Sequence, residues 1–396
     1  MESVGLPLEG ITVVSVEQAV AAPFATRQLA DLGARVIKVE RPGVGDFARH
    51  YDQAVRGLSS HFVWVNRSKE SLTLDLKHPD GKAVLERLLA RADVFVHNLA
   101  PGAMDRLGFD RDTLTASYPR LIVCEISGYG RGGPYTGRKA YDLLIQCETG
   151  LLSVTGTEET PSKAGIAVAD IAAGMYAFSG ILAALRQRDR TGKGGYLEVS
   201  MLEALGEWMG FPYYYAVYGG QEPPRTGSAH ATICPYGAFT AADGRRVFLA
   251  VQNDREWHRF CEQVLGRPAL ADDPRYRTNP DRIRHRAQLE AQIQGILAEL
   301  PSDVLMARLD AANIAMAPLN RVADFANHPQ LRSRGCWHAV DTPAGPVSAL
   351  APPFRAADWP VRMDPVPAAG EHSERILKEL GYAPEDVAAW RRQGVV

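Results

Sequence analysis

"ITVVSVEQAVAAPFATRQLADLGARVIKVE", residues 11–40, joins two short apolar runs through a segment of helical spacing. Residues 11–16 form a run rich in valine, which is typical of a buried strand. Residues 23–33 repeat apolar positions at helical intervals and end at Gly33, a residue type that commonly follows a helix. Because neighbouring parallel strands need such a crossover, the stretch predicts a strand, a helix and a second strand at 34–40 in one parallel sheet.

The alternation of strand and helix continues beyond this unit. A helix is predicted at 79–92, and further strands are predicted at 71–76, 93–98 and 120–127. Strands separated by helices favour an α/β fold, with a large doubly wound, Rossmann-like domain built on a mostly parallel sheet. Ligands of such sheets bind beyond the carboxyl ends of the strands. The segments expected to hold binding residues are therefore 17–22, 41–46, 98–106 and 128–139.

The pattern changes near residue 200, which predicts a second domain. Residues 210–230 are aromatic and then rich in glycine and proline, as in a linker or lid. Residues 233–252 predict a β-hairpin with Asp243 and Gly244 at its turn. The predicted divisions are a large α/β domain over 1–200, a linker over 201–228, a smaller α+β domain over 229–318, and a linker and return to the large domain over 319–396.

Composition narrows the classes of partner. A net charge of −2 over 396 residues gives no basic field for nucleic acid or an anionic membrane. The opening "MESVGLPLEG" has neither the basic nor the apolar region of a secretory signal. Residues 163–185 are long enough to span a membrane, but their small side chains and Asp170 favour a buried helix. Five scattered cysteines predict neither a zinc site nor disulfides, and hence a cytoplasmic location.

Motifs of nucleotide chemistry are missing from the sequence. The turn after the first strand, "SVEQAVAAPF" (15–24), contains no glycine, although the dinucleotide fingerprint requires one there. The glycines of "RPGVGD" (41–46) follow the second strand instead, and "TGKGGYL" (191–197) lacks the P-loop spacing. An NAD-dependent dehydrogenase is therefore disfavoured, even though the predicted sheet would suit one.

One carboxylate, Asp170, stands near the start of the apolar segment 163–185. It can cap the helix, because a carboxylate accepts hydrogen bonds from the free N–H groups of the first turn. It can also be a nucleophile, because its small neighbours leave room for a substrate and a fixed carboxylate can form a covalent acyl intermediate. The two roles are compatible.

Several segments together resemble the class III CoA-transferases, the CaiB/BaiF-type family. Successive blocks of that family look like the start of this chain to residue 46, "NRSKESLTLDLK" (66–77), "VFVHNLAPGAMDRLG" (94–108) and "ISGYGRGGPYTGRKAYD" (126–142). "AGIAVADIAAGMYA" (164–177) looks like the segment that carries the family's catalytic aspartate, which maps onto Asp170. "GSAHATICPYGAF" (227–239) is similar to the block that opens its smaller domain.

The resemblance implies a reaction. Asp170 attacks the thioester of a donor acyl-CoA and forms a mixed anhydride and CoA thiolate. The thiolate then forms an aspartyl-CoA thioester and releases the donor acid, and an acceptor carboxylate runs these steps backwards. Coenzyme A thioesters and a small carboxylic acid are the expected partners. No metal and no permanently bound cofactor are expected.

The resemblance also implies roles for individual residues. It assigns coenzyme A binding to Arg41, Leu74, Asn98, Leu99, Arg106 and Lys139, with Lys77 and Lys38 as further candidates. Tyr141 and Asp142 stand where the family lines its reaction site. Glu17, Gln18 and His230 are further candidates to face the substrate. Members of the family form interlocked homodimers, so an interlocked homodimer is expected here.

Two rival functions share these features. An acyl-CoA epimerase of the same superfamily exchanges a proton next to the thioester and needs an acid/base pair. That branch places a histidine directly before the aspartate of the "KAYD" block, where this chain has Tyr141. A tyrosine with an ordinary pKa near 10 is a poor base at neutral pH. A non-catalytic CoA-binding protein would not need Asp170 at all.

The resemblance leans towards members that use succinyl-CoA as donor and a dicarboxylic acid as acceptor, and itaconate or mesaconate is the expected acceptor. A second carboxylate favours an arginine partner, because the guanidinium binds it through two hydrogen bonds. The candidates for that partner are Arg49, Arg138 and Arg225.

This chain departs from the formyl-CoA branch of the family in the segment that covers the reaction intermediate. That branch has a run of glycines where this chain has "AVQNDREW" (250–257). Two alternatives for covering the intermediate in this chain are the pair Gln252 and Asn253 and the pair Gly219 and Gly220. Chemistry on formate or oxalate is correspondingly disfavoured.

Overall fold

The computed structural model describes residues 5–396. The first four residues of the opening stretch, on which the prediction about a secretory signal partly depends, lie outside the described residues. The described chain forms two compact units. Unit 1 runs from the first described residue to Leu151 and includes Ala164–Phe211 and Leu331–Val396. Unit 2 comprises Leu152–Lys163 and Pro212–Gln330.

Unit 1 is built on a six-stranded parallel sheet with the order β3-β2-β1-β4-β5-β6. Its strands are β1 (Thr12–Val16), β2 (Arg35–Glu40), β3 (Lys69–Thr73), β4 (Val94–His97), β5 (Ile122–Ser127) and β6 (Gly195–Ser200). The first five strands confirm the sequence prediction, although β3 ends earlier than expected. This strand order reverses direction between β1 and β4, as in doubly wound nucleotide-binding folds.

Helices cover both faces of this sheet, and further helices occur in the rest of the chain. Up to residue 219 they are α1 (Ala21–Asp31), α2 (Ser60–Val65), α3 (Pro79–Leu89), α4 (Ala103–Arg106), α5 (Arg111–Ser117), α6 (Asp142–Glu148), α7 (Leu151–Val154), α8 (Val168–Thr191), α9 (Met201–Trp208) and α10 (Gly210–Gly219), with a 3₁₀ turn at Phe47–His50. Beyond it they are α11 (Asp254–Arg259), α12 (Ala269–Asp272), α13 (Asn279–Arg284), α14 (Arg286–Leu297), α15 (Ser302–Ala311), α16 (Val322–Phe325), α17 (Pro329–Ser333), α18 (Ser373–Glu379) and α19 (Pro384–Gln393), with a π turn at Phe260–Val264.

The two faces of the sheet have separate apolar cores. Successive side chains of a strand point to opposite faces, and Val13 belongs to one core whereas Val14 belongs to the other. The first core includes buried residues of α1, α8 and α9, and the second includes buried residues of α3, α18 and α19. The predicted doubly wound α/β domain is therefore confirmed.

Helix α8 crosses the first core and packs against α1, α6, α9, β5 and β6. By length and composition alone it is also long and apolar enough to span a membrane. A Cβ at Gly174 would lie 2.7 Å from the backbone oxygen of Ala21. A glycine at this position thus lets α8 approach the beginning of α1 closely, which matters for the site below.

Unit 2 contains a small antiparallel sheet, β7-β8-β9, packed with helices. Its strands are β7 (Tyr236–Thr240), β8 (Arg246–Ala250) and β9 (Ala315–Pro318). The predicted hairpin at 233–252 is confirmed, and its turn is held by Asp243, which accepts a hydrogen bond of 2.6 Å from the Ser302 hydroxyl. A further hairpin, β10 (Trp337–Val340) and β11 (Val347–Leu350), lies in unit 1.

Two elements differ from the sequence prediction. The segment 201–228, expected to be a linker, contains α9 and α10 in its first part. Strand β6, which the sequence analysis did not identify, pairs with β5 along its whole length. Glu198 is exposed, Ser200 is buried and the other four residues are half-buried, so β6 lacks the continuous apolar run of the other strands.

Candidate active site

A cavity of about 700 Å³ opens at the carboxyl edge of the sheet. Its walls come from the segments that follow β1, β2 and β3 and from α4 with its flanking residues, which follow β4. It therefore lies at the point where the strand order reverses, where sheets of this kind bind their ligands. The volume is in the range of sites for large organic ligands.

Cationic side chains stand around this cavity beside apolar ones. Arg41, Lys77 and Arg106 line it, and all three are exposed. None of them forms a salt bridge with an acidic residue in the described part of the chain. Leu74 and Leu99 add apolar surface. The cavity thus offers uncompensated positive charge next to an apolar wall, which suits a phosphorylated ligand with an apolar part.

The remaining residues predicted to bind coenzyme A lie elsewhere. The side chain of Asn98 is bound to the backbone of Gln18, with its oxygen accepting from the N–H at 2.9 Å and its nitrogen donating to the carbonyl at 2.8 Å. It therefore ties β4 to the turn after β1, and Gln18 lines the cavity. Lys139 is exposed in the segment before α6 and is not part of this cavity wall. Lys38 is fully buried.

Glu17 and Lys38 belong to a buried ion cluster beneath the cavity. The Glu17 carboxylate lies 2.7 Å from the Lys69 ammonium, 3.4 Å from the Lys38 ammonium and 2.7 Å from the Thr26 hydroxyl. Although burial alone would raise the pKa of Glu17, the two lysines hold it below its usual value. The Glu17 side chain, expected to face the substrate, is thus engaged within the protein.

Asp46 connects this cluster to the turn between β1 and α1. One carboxylate oxygen binds the Lys38 ammonium at 2.8 Å, and the other accepts hydrogen bonds from the N–H groups of Ala19 and Ala48 at 3.1 and 2.9 Å. Ala19 has a φ of 62°, a left-handed conformation that costs a residue with a Cβ about 1–2 kcal/mol. Asp46 therefore fixes a strained turn, and that turn sets the direction in which α1 begins.

Asp170 lies in the first turn of α8, close to the beginning of α1. Burial is the main cause that raises the pKa of its carboxyl group to about 7, and the negative charge of Asp142 adds to it. The backbone N–H of Ala21, the first residue of α1, opposes this rise by donating to the carboxylate. Among residues 5–396 no side chain donates a hydrogen bond to Asp170. Its oxygens are therefore available to a ligand.

The capping role considered for Asp170 is filled by another residue. The N-cap position of α8 is Ala167, which has no capping side chain. Asp142, the first residue of α6, accepts hydrogen bonds from the N–H groups of Ala169 at 2.7 Å and Asp170 at 3.4 Å. The Asp170 side chain is thus left free for chemistry.

Two tyrosines, Tyr51 and Tyr141, lie near the candidate site. Burial and the nearby charges of Asp46 and Asp170 raise the pKa of Tyr51 to about 12, so its hydroxyl stays protonated at neutral pH. Tyr141 also faces Tyr51, and its ring is exposed. The sequence analysis missed Tyr51 because it stands outside the resembling blocks. The described residues contain no group of three or more potential metal ligands.

The three arginine candidates have different surroundings. Arg49 binds Glu40 through two hydrogen bonds of 2.8 Å. Arg225 donates to three backbone carbonyl groups within unit 2. Arg138 lies over the ring of Tyr135 at 3.5 Å and, among the described residues, forms no salt bridge. It is the candidate whose guanidinium is free to bind a carboxylate.

His230 and Asn253 have local partners in unit 2. The His230 ring stacks on Tyr236 with centroids 5.1 Å apart, and its backbone N–H donates to the Tyr236 carbonyl. The Asn253 side chain caps α11 by accepting from the N–H of Glu256 at 2.9 Å. Gly219 ends α10, and Gly220 follows it with a φ of 72°.

The chain is similar to known proteins over nearly its whole length. Residues 8–373 match the model of CoA-transferase family III. The chain is 34% identical to a succinyl-CoA:glutarate CoA-transferase of Mus musculus, with 94% of this chain and 86% of that protein covered. It is also 34% identical to an acetyl-CoA:oxalate CoA-transferase of Acetobacter aceti, with 96% and 97% covered. The crystal structure of a CaiB/BaiF family protein from Brucella suis matches with a TM-score of 0.84 at 34% identity, covering 95% of this chain and 99% of that one.

Proposed function

Because this chain belongs to CoA-transferase family III, we propose that it moves CoA from succinyl-CoA to a small dicarboxylic acid through covalent intermediates on Asp170. The observation that carries the proposal is the position of Asp170. Its carboxylate has no side-chain partner in the described chain and meets the beginning of α1. The turn at 17–21 joins this point to the cavity, because Gln18 lines the cavity and Ala21 contacts Asp170.

The reaction follows from this position. An oxygen of Asp170 bonds to the carbonyl carbon of the thioester, and the carbon–sulfur bond breaks. The products of this step are a mixed anhydride on Asp170 and free CoA thiolate. The thiolate then attacks the carbonyl carbon of Asp170 and releases succinate, and the acceptor carboxylate reverses both steps. Each attack develops negative charge on an oxygen, and in this proposal the positive N-terminal end of α1, which begins beside Asp170, stabilises that charge. The site must also exclude water, which would hydrolyse the anhydride.

The cavity accounts for recognition of the carrier. Coenzyme A combines several phosphates with an adenine and an apolar arm. Arg41, Lys77 and Arg106 supply the positive charge, and Leu74 and Leu99 supply the apolar contact. In this proposal coenzyme A enters and leaves as a substrate, and no cofactor is bound permanently.

Arg138 supports a dicarboxylic acceptor. It follows β5 in the same segment as Tyr141, and its guanidinium is free of salt bridges within the described chain. A bidentate hydrogen bond to the distal carboxylate would select acids with two carboxyl groups. Itaconate and mesaconate belong to this class and remain the proposed acceptors. Glutarate and oxalate, named in the relatives, are the competitors to test.

The test is transfer itself. The protein is mixed in D2O with succinyl-CoA and each of these acids, and in a parallel sample with an α-methyl-branched acyl-CoA, and the CoA esters are identified by mass spectrometry. A new CoA ester that disappears in Asp170→Ala supports the proposal and names the acceptor. Deuterium at the α-carbon of a branched acyl-CoA, without a new ester, would instead show an epimerase. A new ester that persists in Asp170→Ala would remove Asp170 as the nucleophile.

A further inference from the structure

Asp142 lies beside Asp170 but has no step of its own in the transfer chemistry. Both of its carboxylate oxygens are engaged. Oδ1 accepts from the N–H groups of Ala169 and Asp170, and Oδ2 accepts from the Gln146 amide at 2.6 Å. Gln146 is fully buried, and its own oxygen accepts from the N–H of Ala164 at 2.9 Å. This chain of contacts ties α6 to the segment that begins α8.

We propose that Asp142 is a positioning residue for the nucleophile, which caps the helix of Asp170 from a neighbouring helix and holds a fixed negative charge against it. The inference rests on the proposed role of Asp170 and extends it. A helix N-terminus normally finds its cap in its own N-cap residue. Here that residue is an alanine, and the cap comes from a residue 28 positions before Asp170.

The arrangement engages the whole carboxylate of Asp142. Two backbone N–H groups and an amide donate to its carboxylate, and the N-terminus of α8 favours negative charge. With both oxygens occupied, Asp142 neither binds the substrate nor exchanges a proton with it.

The charge of Asp142 acts on Asp170 through space. Three groups from other elements face the Asp170 carboxylate, namely Asp142 of α6, the Ala21 N–H of α1 and the neutral Tyr51 hydroxyl. Only Asp142 carries a charge, and it repels the anionic form of Asp170. Acylation of Asp170 removes its charge and therefore the repulsion. Asp142 thus favours each covalent intermediate over the free carboxylate and makes Asp170 a more basic nucleophile.

A pair of variants separates this charge from the cap. Asp142→Asn keeps an acceptor oxygen for α8 but places an amide against the amide of Gln146. The double variant Asp142→Asn with Gln146→Glu gives that amide an acceptor and retains an acceptor for Ala164. It preserves the hydrogen bonds and moves the negative charge one side chain away from Asp170. Glu148→Gln is the matched control, because it removes an exposed carboxylate from the same helix.

The expected result is a shift in the pH dependence of transfer. In the wild type and in Glu148→Gln, kcat/KM should fall below a pH near 7, where Asp170 becomes protonated. In the double variant the pH at which kcat/KM falls should be lower by about one unit. The kcat measured above that pH, where it no longer depends on pH, should fall about tenfold. A folded double variant with the pH dependence of kcat/KM and the kcat of the wild type would overturn the proposal and leave Asp142 a structural cap.

A second measurement separates this inference from the proposed function. The titration of Asp170 is followed by NMR of protein labelled with 13C at aspartate carboxyl groups, and its signal is assigned by its loss in Asp170→Asn. A lower titration midpoint in the double variant supports the charge effect even if no transfer is found, in which case only the proposed function fails. An unchanged midpoint overturns the positioning role even if transfer depends on Asp170.

Discussion

The carboxyl group of Asp170 holds its proton more tightly than that of an ordinary aspartate, because burial and the charge of Asp142 raise its pKa from 3.8 to about 7. Its pKa in the folded state exceeds that of the unfolded chain, so the folded state binds the proton more tightly. Stability is therefore lost as the pH rises from about 4 to about 7 and stays lower above that range. Asp170→Asn should remove this loss. We expect a larger free energy of unfolding at pH 8, on the order of 1–4 kcal/mol, together with loss of transfer.

Urea unfolding at pH 4 and pH 8 measures the effect. At pH 4 the variant and the wild type should differ little, because the carboxyl group of the wild type is protonated in the folded state and this pH is still close to its pKa in the unfolded chain. Glu148→Gln, an exposed substitution, should stay within about 0.5 kcal/mol of the wild type at both pH values. An equal stability of Asp170→Asn and the wild type at pH 8 would contradict the raised pKa.

Arg138 gives the second prediction at this scale. Replacing it by glutamine removes a charge-assisted hydrogen bond, a loss of about 1.5–3 kcal/mol. The KM for a dicarboxylic acceptor should rise roughly 10- to 100-fold, and the KM for succinyl-CoA should rise as well, because its acyl group carries a distal carboxylate. The KM for acetyl-CoA, which has none, should not change. Steady-state kinetics with these substrates measures the differences.

The matched control is Arg186→Gln, which replaces an exposed arginine on α8. Both variants lose one positive charge, so a general electrostatic effect would appear in both. If Arg138→Gln and Arg186→Gln raise the KM for dicarboxylic acids equally, Arg138 has no role in selecting the acceptor.

Side-chain roles were predictable where the signal is local. Arg41 and Arg106 follow strands in a parallel sheet, and the cavity lies there. The carboxylate of Glu17 also follows a strand, but its direction depends on Lys38 and Lys69, which lie 21 and 52 residues along the chain. The cap of α8 by Asp142 is equally non-local. Partners that meet only in the folded chain leave no trace in the sequence around either residue.

The turn between β1 and α1 is the element on which the site depends most. Doubly wound folds that bind dinucleotides place glycine in this turn, whereas this chain holds Ala19 at a φ of 62° with the help of Asp46. Asp46→Ala removes that acceptor and deprives the buried Lys38 of its closest acid. We expect a loss of about 3 kcal/mol in the free energy of unfolding, because the buried Lys38 ammonium loses the closer of its two acidic partners and keeps only Glu17 at 3.4 Å. We also expect a lower kcat, because α1 loses its fixed direction.

Asp46→Asn serves as the control for this prediction. Its side-chain oxygen can still accept from Ala19 and Ala48, so only the charge is lost. The kcat of Asp46→Asn should therefore exceed that of Asp46→Ala when both are measured on folded protein, with stability determined by urea unfolding. Equal kcat values for Asp46→Ala and the wild type would show that the turn does not need this support.

The secondary structure was predicted best where burial is complete. Strands β1, β2, β4 and β5 are almost entirely buried, and their apolar runs identified them. Strand β6 lies at the edge of the sheet with half-exposed residues, so its pattern is weak. Helix α10 lies in the segment predicted as a linker or lid, because its glycines, proline and tyrosines are poor helix formers.

At the scale of the whole molecule, the aromatic helix α10 presents an unusual surface. Tyr213, Tyr214, Val217 and Tyr218 are each between 54% and 76% exposed. Exposed apolar groups that cluster in this way mark interaction surfaces in soluble proteins. The interlocked homodimer expected from the family would supply a second copy of the chain as the partner, and it remains a prediction for this protein.

An interlocked dimer has a property that an ordinary dimer lacks. Two chains that pass through one another cannot separate without unfolding, so dilution does not shift their mass, whereas dimers held only by surface contact dissociate by mass action. We expect light scattering to give twice the chain mass of 43.2 kDa, unchanged from micromolar to nanomolar concentration when the most dilute samples are measured by mass photometry. Unfolding in urea should make the mass fall to that of one chain. A mass of 43.2 kDa for the native protein would rule the dimer out, and a mass that decreases on dilution would leave a dimer whose chains are not interlocked.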